Sequence, residues 1–266
     1  MPLVLLIIRY ALRKVLIVFI VYFSLISVPG SYGQSHKLLN LPAYDISPYH
    51  FGFTLGINQM LFTLKPASNL NTRLYTSIQT PDLTVDSSRL LAVNSSPTIG
   101  FIIGIVGDLR LGRNFNFRFV PDLSFGEREI NYSILGYEPD GTTSLIDVKK
   151  SVGSVFVDFP MTVKYKSKRH NNMLAYLTGG GQYSLDIASN ARKRDVGEQI
   201  VVKLKKNDFY ALIGVGFDFY NPWFKLGVEL KMAYGLFDML KRDNTIYTLG
   251  IAKLDSKIFQ LCFTFE

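Results

Sequence analysis

The sequence predicts an all-β protein, an eight-stranded antiparallel transmembrane β-barrel with an N-terminal signal peptide. Three observations predict it. Eight segments alternate apolar and polar residues with period two, as strands do when their faces meet different solvents. The connections between them are short and long by turns, as in bacterial outer-membrane barrels. The chain also opens with a basic, apolar leader of the secretory type. Composition agrees: 48% apolar, 14% aromatic and 19% charged residues, with a mean hydropathy of +0.17, exclude a disordered chain. The pI near 9.4 would suit nucleic acid, but 20 Phe and 15 Tyr point to lipid as the partner and to no nucleic acid.

Residues 1–33 form the leader. Arg9, Arg13 and Lys14 carry its charge, and residues 15–28 are apolar except for Ser24 and Ser27. Pro29 and Gly30 end the helix, and Ser31-Tyr32-Gly33 offers small residues for cleavage after Gly33. An uncleaved anchor is the alternative, because 3–8 extends the apolar stretch, but 15–28 is short for a spanning helix. No Cys follows the cleavage point, which excludes lipoprotein processing. Residues 34–48 then make a periplasmic tail, and 49–266 the barrel in the outer membrane, where lipid including lipopolysaccharide surrounds it.

The strands follow in order. Residues 49–64 open the barrel; their apolar phase slips from Phe51, Phe53, Leu55 and Ile57 to Met60, Phe62 and Leu64, which predicts a bulge near Asn58 or Gln59. Strand two covers 98–111. In strand three Phe115, Phe117, Phe119, Leu123 and Phe125 alternate with polar residues, with Val120 and Pro121 as exceptions. Strand four carries Val155, Val157, Phe159, Met161, Val163 and Tyr165 on one face. Strands five and six cover 172–185 and 209–220. Strand seven shows Phe224, Leu226, Val228, Leu230, Met232 and Tyr234 in alternation, and strand eight Phe259, Leu261, Phe263 and Phe265.

Gly112-Arg113-Asn114, residues 167–171 and Asn221-Pro222 are tight turns; 65–97, 127–151, 186–208 and 235–257 are long loops. Eight strands with short periplasmic turns put both ends of the barrel in the periplasm. Aromatic residues at the strand ends (Phe115, Phe125, Tyr165, Tyr220, Trp223, Phe224, Tyr234, Phe259, Phe265) suggest the two girdles of a lipid-facing barrel. A soluble lipocalin-like barrel, with its apolar face inward, would not need them.

With apolar faces in lipid, Arg118, Asp122, Asp158, Lys164, Asp218, Lys225, Glu229 and Lys231 face the lumen. Eight strands leave room there only for side chains, so these charges are expected to pair as a plug rather than line a proton or ion path. In the 186–208 loop, Arg192, Lys193, Arg194, Lys203, Lys205 and Lys206 stand against Asp186, Asp195, Glu198 and Asp208. They suit either outer-leaflet phosphates or plain solvation. Near the 167–171 turn, Lys164, Lys166, Lys168, Arg169 and His170 cluster, as a seat for a partner or an anchor at headgroups.

No catalytic, cofactor or metal site is expected. His36, His50 and His170 are scattered, none of them near an outer-leaflet site for lipid A chemistry, and Cys262 is alone. Gly179-Gly180-Gly181 runs into a strand rather than a helix, so it is no phosphate loop.

Two stretches carry a resemblance. Residues 40–45 (NLPAYD), with His50-Phe51-Gly52-Phe53 and Leu55-Gly56-Ile57-Asn58, form one. Asp158-Phe159-Pro160, residues 164–169 (KYKSKR), Asn171-Asn172, Tyr176, residues 179–181, Tyr183 and residues 186–189 form the other. Together they resemble the PorT family of Bacteroidetes outer-membrane proteins. That resemblance implies a component of the type IX secretion system, needed to export cargo with C-terminal signals and, in motile relatives, for gliding. It implies partners among other type IX proteins on the periplasmic side. The family-like residues Asn40, Pro42, Tyr44, Asp45, Lys166, Ser167, Lys168, Arg169, Asn171 and Asn172 are the candidate contacts. The competing expectation is that Asp45 and the tail pair with Lys166 or Lys168 and close the barrel floor. One departure is that Glu266 follows Phe265 where barrels commonly finish on an aromatic residue. A small outer-membrane barrel with a structural or lipid-binding role is the broader alternative.

Overall fold

The computed structural model describes residues 39–80, 83, 85–188 and 202–266. The expected leader, the first residues of the tail and the loop cations Arg192, Lys193 and Arg194 lie outside these. Eleven antiparallel strands make one sheet: β1 (Tyr49–Pro66), β2 (Leu74–Thr76), β3 (Ser87–Ser96), β4 (Thr98–Arg110), β5 (Phe115–Phe119), β6 (Asp122–Tyr137), β7 (Thr143–Lys166), β8 (Met173–Asp186), β9 (Asn207–Tyr220), β10 (Lys225–Gly235) and β11 (Ile251–Phe265). One helical turn, α1 (Ile246–Leu249), precedes β11.

The sheet closes because β1 is hydrogen-bonded on both sides, to β11 and to β4. Around the ring run β1, β4, β5 with β6, β7, β8, β9, β10 and β11, which is eight staves. The third stave is interrupted at Val120–Pro121, where proline has no N–H for the ladder. The wall is bridged there by Ile105 N–H to the Pro121 carbonyl (3.0 Å) and Val120 N–H to the Pro160 carbonyl (3.3 Å).

The outward face is apolar. Phe51, Phe53, Leu55 and Ile57 on β1, Ile99, Phe101, Ile103 and Ile105 on β4, and Ile213, Val215, Phe217 and Phe219 on β9 are all exposed. Phe53 stacks on Phe265 and Phe101 on Phe125 across neighbouring strands. A continuous belt of this kind is stable only against hydrocarbon.

Three expectations need correction. The first is the bulge near Asn58 or Gln59. Pairing of β1 runs unbroken from Phe53 to Lys65 against β11 and from Tyr49 to Met60 against β4. The chain does not slip; its surroundings change. Below Asn58 the outward residues are apolar because they meet lipid. From Met60 the inward ones are apolar, because Met60 and Phe62 enter cores inside the barrel.

The second concerns the loops. Residues 127–151 are almost wholly strand: β6 has 16 residues and β7 has 24, where about 9–11 cross a membrane. The hairpin stands well clear of the apolar belt, closed by Gly141 at φ +83°. The 65–97 connection holds β2 and β3, and β3 pairs with the upper part of β6. The last strand begins at Ile251, not 259, because 251–257 pairs with β1 above the belt.

The third concerns Tyr220. It does not belong to an aromatic girdle; its side chain is buried beneath the barrel.

Candidate functional site at the sealed lumen and its floor

Alternation along the staves brings Arg118, Asp122, Asp158, Lys164, Asp218, Lys225, Glu229 and Lys231 inward, and all eight are buried. Five of them form a lattice. Arg118 Nη1 donates to Glu229 Oε2 at 2.9 Å, Nη2 to Glu266 at 3.3 Å, and Nε lies 3.6 Å from Asp108. Lys164 Nζ reaches Asp218 at 2.7 Å, and Lys225 reaches Glu266 at 2.6 Å and Asp218 at 3.8 Å. Thr178 donates to the second oxygen of Glu229 at 2.8 Å. Every charge here meets an opposite one, which is the condition for keeping it in a dry interior.

Glycine makes the room. Tyr176 crosses the lumen with Lys164 Nζ 3.7 Å from its ring centre, and a Cβ on Gly216 would overlap that ring.

One layer further, Asp122 and Asp158 stand directly opposite on β6 and β7. No hydrogen bond reaches Asp122 Oδ1 or either oxygen of Asp158, and among the described residues no ion pair reaches either carboxylate. These two, with Lys231, stand apart from the lattice.

The lattice is closed on both sides. Above it, Met60, Phe156, Tyr210, Leu212, Ala233 and Ile258 form an apolar layer. Arg128, fully buried, sits between the rings of Phe62 and Phe156 at 4.6 and 4.9 Å. It bonds Ser154 and Ser256 and lies 3.5 Å from Asp186. Asp186 and Asp208 are therefore interior groups, not solvated loop charges. A larger core caps the top, where Ile246 and Tyr247 of α1 pack with Val202, Leu204, Leu240 and the inner faces of β3 and β6.

Below the lattice, at the end carrying the short turns, residues 39–48 fold across the opening. Leu41 at φ +49° turns the chain, and a 3-10 turn spans Tyr44–Ile46. Tyr44 lies on His50 with ring centres 3.9 Å apart, and its hydroxyl donates to Glu266 at 2.7 Å. Burial and the Glu266 carboxylate raise the Tyr44 hydroxyl well above the ordinary phenol range, so it stays a donor. Tyr220 donates to Asp45 at 2.8 Å, and Asp45 lies 3.7 Å from Arg169 and 3.9 Å from Lys166. Arg169 stacks over Tyr220 at 3.7 Å and donates to the carbonyls of Asn40, Leu41 and Asn171 and to Asn172 Oδ1. Asn40 completes the seam, with its N–H to Asn172 Oδ1 and its side chain to the Tyr220 carbonyl, both at 2.9 Å. The tail is a floor.

A family model described as "Outer membrane protein beta-barrel domain" matches residues 32–241. The chain belongs to that family. It is an outer-membrane β-barrel protein. Among solved structures, the outer membrane protein OprG from Pseudomonas aeruginosa is similar at 10% identity and a TM-score of 0.42, covering 82% of this chain and 94% of that one. No curated protein sequence matches.

The barrel thus gathers Asn40, Tyr44, Asp45, Lys166, Arg169 and Asn172 at one seam at its turn end. Pro42, Ser167, Lys168 and Asn171 remain on its exposed side, with Asn171 at φ +53° in the turn. Several groups escaped sequence reasoning. Asp108 and Glu266 anchor the lattice, and Arg128 holds the upper layer. His50 looked like a stray imidazole but is a floor residue, bonded to the Tyr44 carbonyl at 2.7 Å. The inward parity of Asp108, Arg128 and Glu266 was available as a signal, and Glu266 also stood out as the charged residue after Phe265.

Proposed function

We propose that this outer-membrane barrel is a non-enzymatic component of the type IX secretion system that acts through its periplasmic face rather than as a conduit. The sealed lumen carries this reading: a paired charge lattice lies between an apolar cap and a folded tail. A barrel filled in this way has no passage for a polypeptide among the described residues, so it serves export by presenting surfaces to partners. The PorT-like residues support the choice of system, and those in 40–45 and 164–172 meet at the floor and the adjoining turn. Clean deletion in the native host is the test, with expected retention of C-terminally signalled cargo in the periplasm. Normal cargo export after deletion would overturn the secretion role and leave a small structural barrel.

A further inference from the structure

Around one cleft the floor gathers three cations, Arg113, Lys166 and Lys168, whose side chains donate no hydrogen bond among the described residues. The cleft, about 330 Å³, lies between the β4–β5 turn, the β7–β8 turn and the tail, and is lined by Asp45, Arg113, Asn114, Lys166, Lys168 and Arg169 among others. Some of these groups are already engaged. The Arg169 guanidinium is spread over the tail and turn carbonyls described above, and Asn114 Nδ2 donates to the Lys166 carbonyl at 2.9 Å. Asp45 Oδ1 is taken by Tyr220.

Lys166 decides the matter. It is 6% exposed, and its nearest carboxylate oxygen is 3.9 Å away, beyond hydrogen-bond reach. Among the described residues its ammonium donates no hydrogen bond, although it lines the cleft. An ammonium whose ion pair to Asp45 is this long still has donors to offer an arriving oxyanion. Arg113 and Lys168, exposed on the two flanking turns, show neither a side-chain hydrogen bond nor an ion pair among the described residues. These three cations share one carboxylate, Asp45, which already accepts a hydrogen bond from Tyr220 and lies 3.7 Å from Arg169 and 3.9 Å from Lys166. Direction identifies the source of the anion. Tyr165, the neighbour of Lys166, points outward and is half exposed on the apolar belt. Lys166 has the opposite parity, and its cleft is bounded by the two short turns and the tail, so it lies at the turn end of the barrel and not on the apolar belt.

We infer that this cleft is an oxyanion site that takes a carboxylate, from an acidic side chain or chain terminus of a periplasmic protein segment. The inference deepens the proposed periplasmic role and rests on that reading for its partner. Its test is nevertheless made on the purified barrel, so it can fail or succeed apart from the secretion assay. In detergent at low salt, a short Asp/Glu peptide is titrated calorimetrically against the full chain, with the Asn/Gln peptide as control. Binding of the acidic peptide alone is expected, weakened at least tenfold by Lys166→Met and by Arg113→Gln, and largely retained by Lys166→Arg. Arg113 is on an exposed turn, so its substitution tests the site even if the Lys166 variant fails to fold. Equal binding of the neutral peptide, or unchanged affinity in Arg113→Gln and Lys166→Met, would overturn the site. Inorganic phosphate binding with no affinity for the peptide, or displacement of the peptide by phosphatidylglycerol bicelles but not by neutral ones, would overturn the protein carboxylate as its ligand.

Discussion

Replacing Arg118 with Met tests whether the lumen charges act as one lattice. Arg118 is 3% exposed and faces three carboxylates. Their remaining partners differ. Glu266 keeps Lys225 at 2.6 Å and Tyr44 at 2.7 Å, and so loses least. Among the described residues the hydrogen bonds left to Glu229 come from hydroxyls, Thr178 at 2.8 Å and Tyr176 at 3.4 Å, with the charges of Lys231 and Lys164 farther off. Among the described residues the hydrogen bond left to Asp108 is that from the amide of Asn116. Stranding a buried charge costs about 3–5 kcal/mol, and in a barrel of this size each kcal/mol lowers Tm by roughly 2–4 °C. The expected loss for Arg118→Met is therefore about 6–20 °C, read by circular dichroism and by the temperature at which heat-modifiable migration on gels is lost. Adding Glu229→Gln removes one stranded charge and should recover about 1–3 kcal/mol. A single variant that melts with the parent would refute the lattice, as would a double variant less stable than the single.

Three further outcomes follow from the same geometry. Burial alone would raise the Glu266 carboxyl, but Lys225 and Arg118 outweigh it and hold the group well below the ordinary carboxylate range. A depressed carboxyl contributes stability above its unfolded value, 4.5, and loses it as pH falls toward the folded one. Melting temperature should then drop as the pH is taken below 4.5, and Glu266→Gln should flatten that drop; an identical slope in the variant would remove Glu266 from the floor. Cys262, 1% exposed on the lumen side, should resist aqueous maleimide until the barrel is heated, and fast labelling at room temperature would show an open lumen. Asp158→Asn should stabilise by about 1–3 kcal/mol, because the amide gives Asp122 a donor where two buried carboxylates now face each other; a lower melting temperature would show that the pair is already satisfied.

Strand periodicity was legible where the two faces of a stave meet different solvents. Residues 155–165 alternate because Met161, Val163 and Tyr165 meet lipid while Asp158, Thr162 and Lys164 meet the lumen. Above the belt that contrast fades, so β3 and the long arms of β6 and β7 read as loops. Met60 and Phe62 show the limit most clearly. An apolar phase change in sequence is the same whether a residue is inserted in the ladder or the apolar side moves from outside to inside, and only the pairing with β4 and β11 distinguishes them.

The candidate site divides along the same line. Lumen charges were readable by parity, but their partners were not: Arg118 meets Glu229 across 111 residues of sequence. Tyr220 and Tyr165 both read as strand-end aromatics, yet one holds Asp45 beneath the barrel and the other faces lipid. By itself the sequence determined the local quantities: period, turn positions and which residues share a face, because each depends on near neighbours and the solvent beside them. Tertiary structure alone decided the seals, the floor and the long contact of Lys166 with Asp45, because those depend on which distant side chains ring closure brings together.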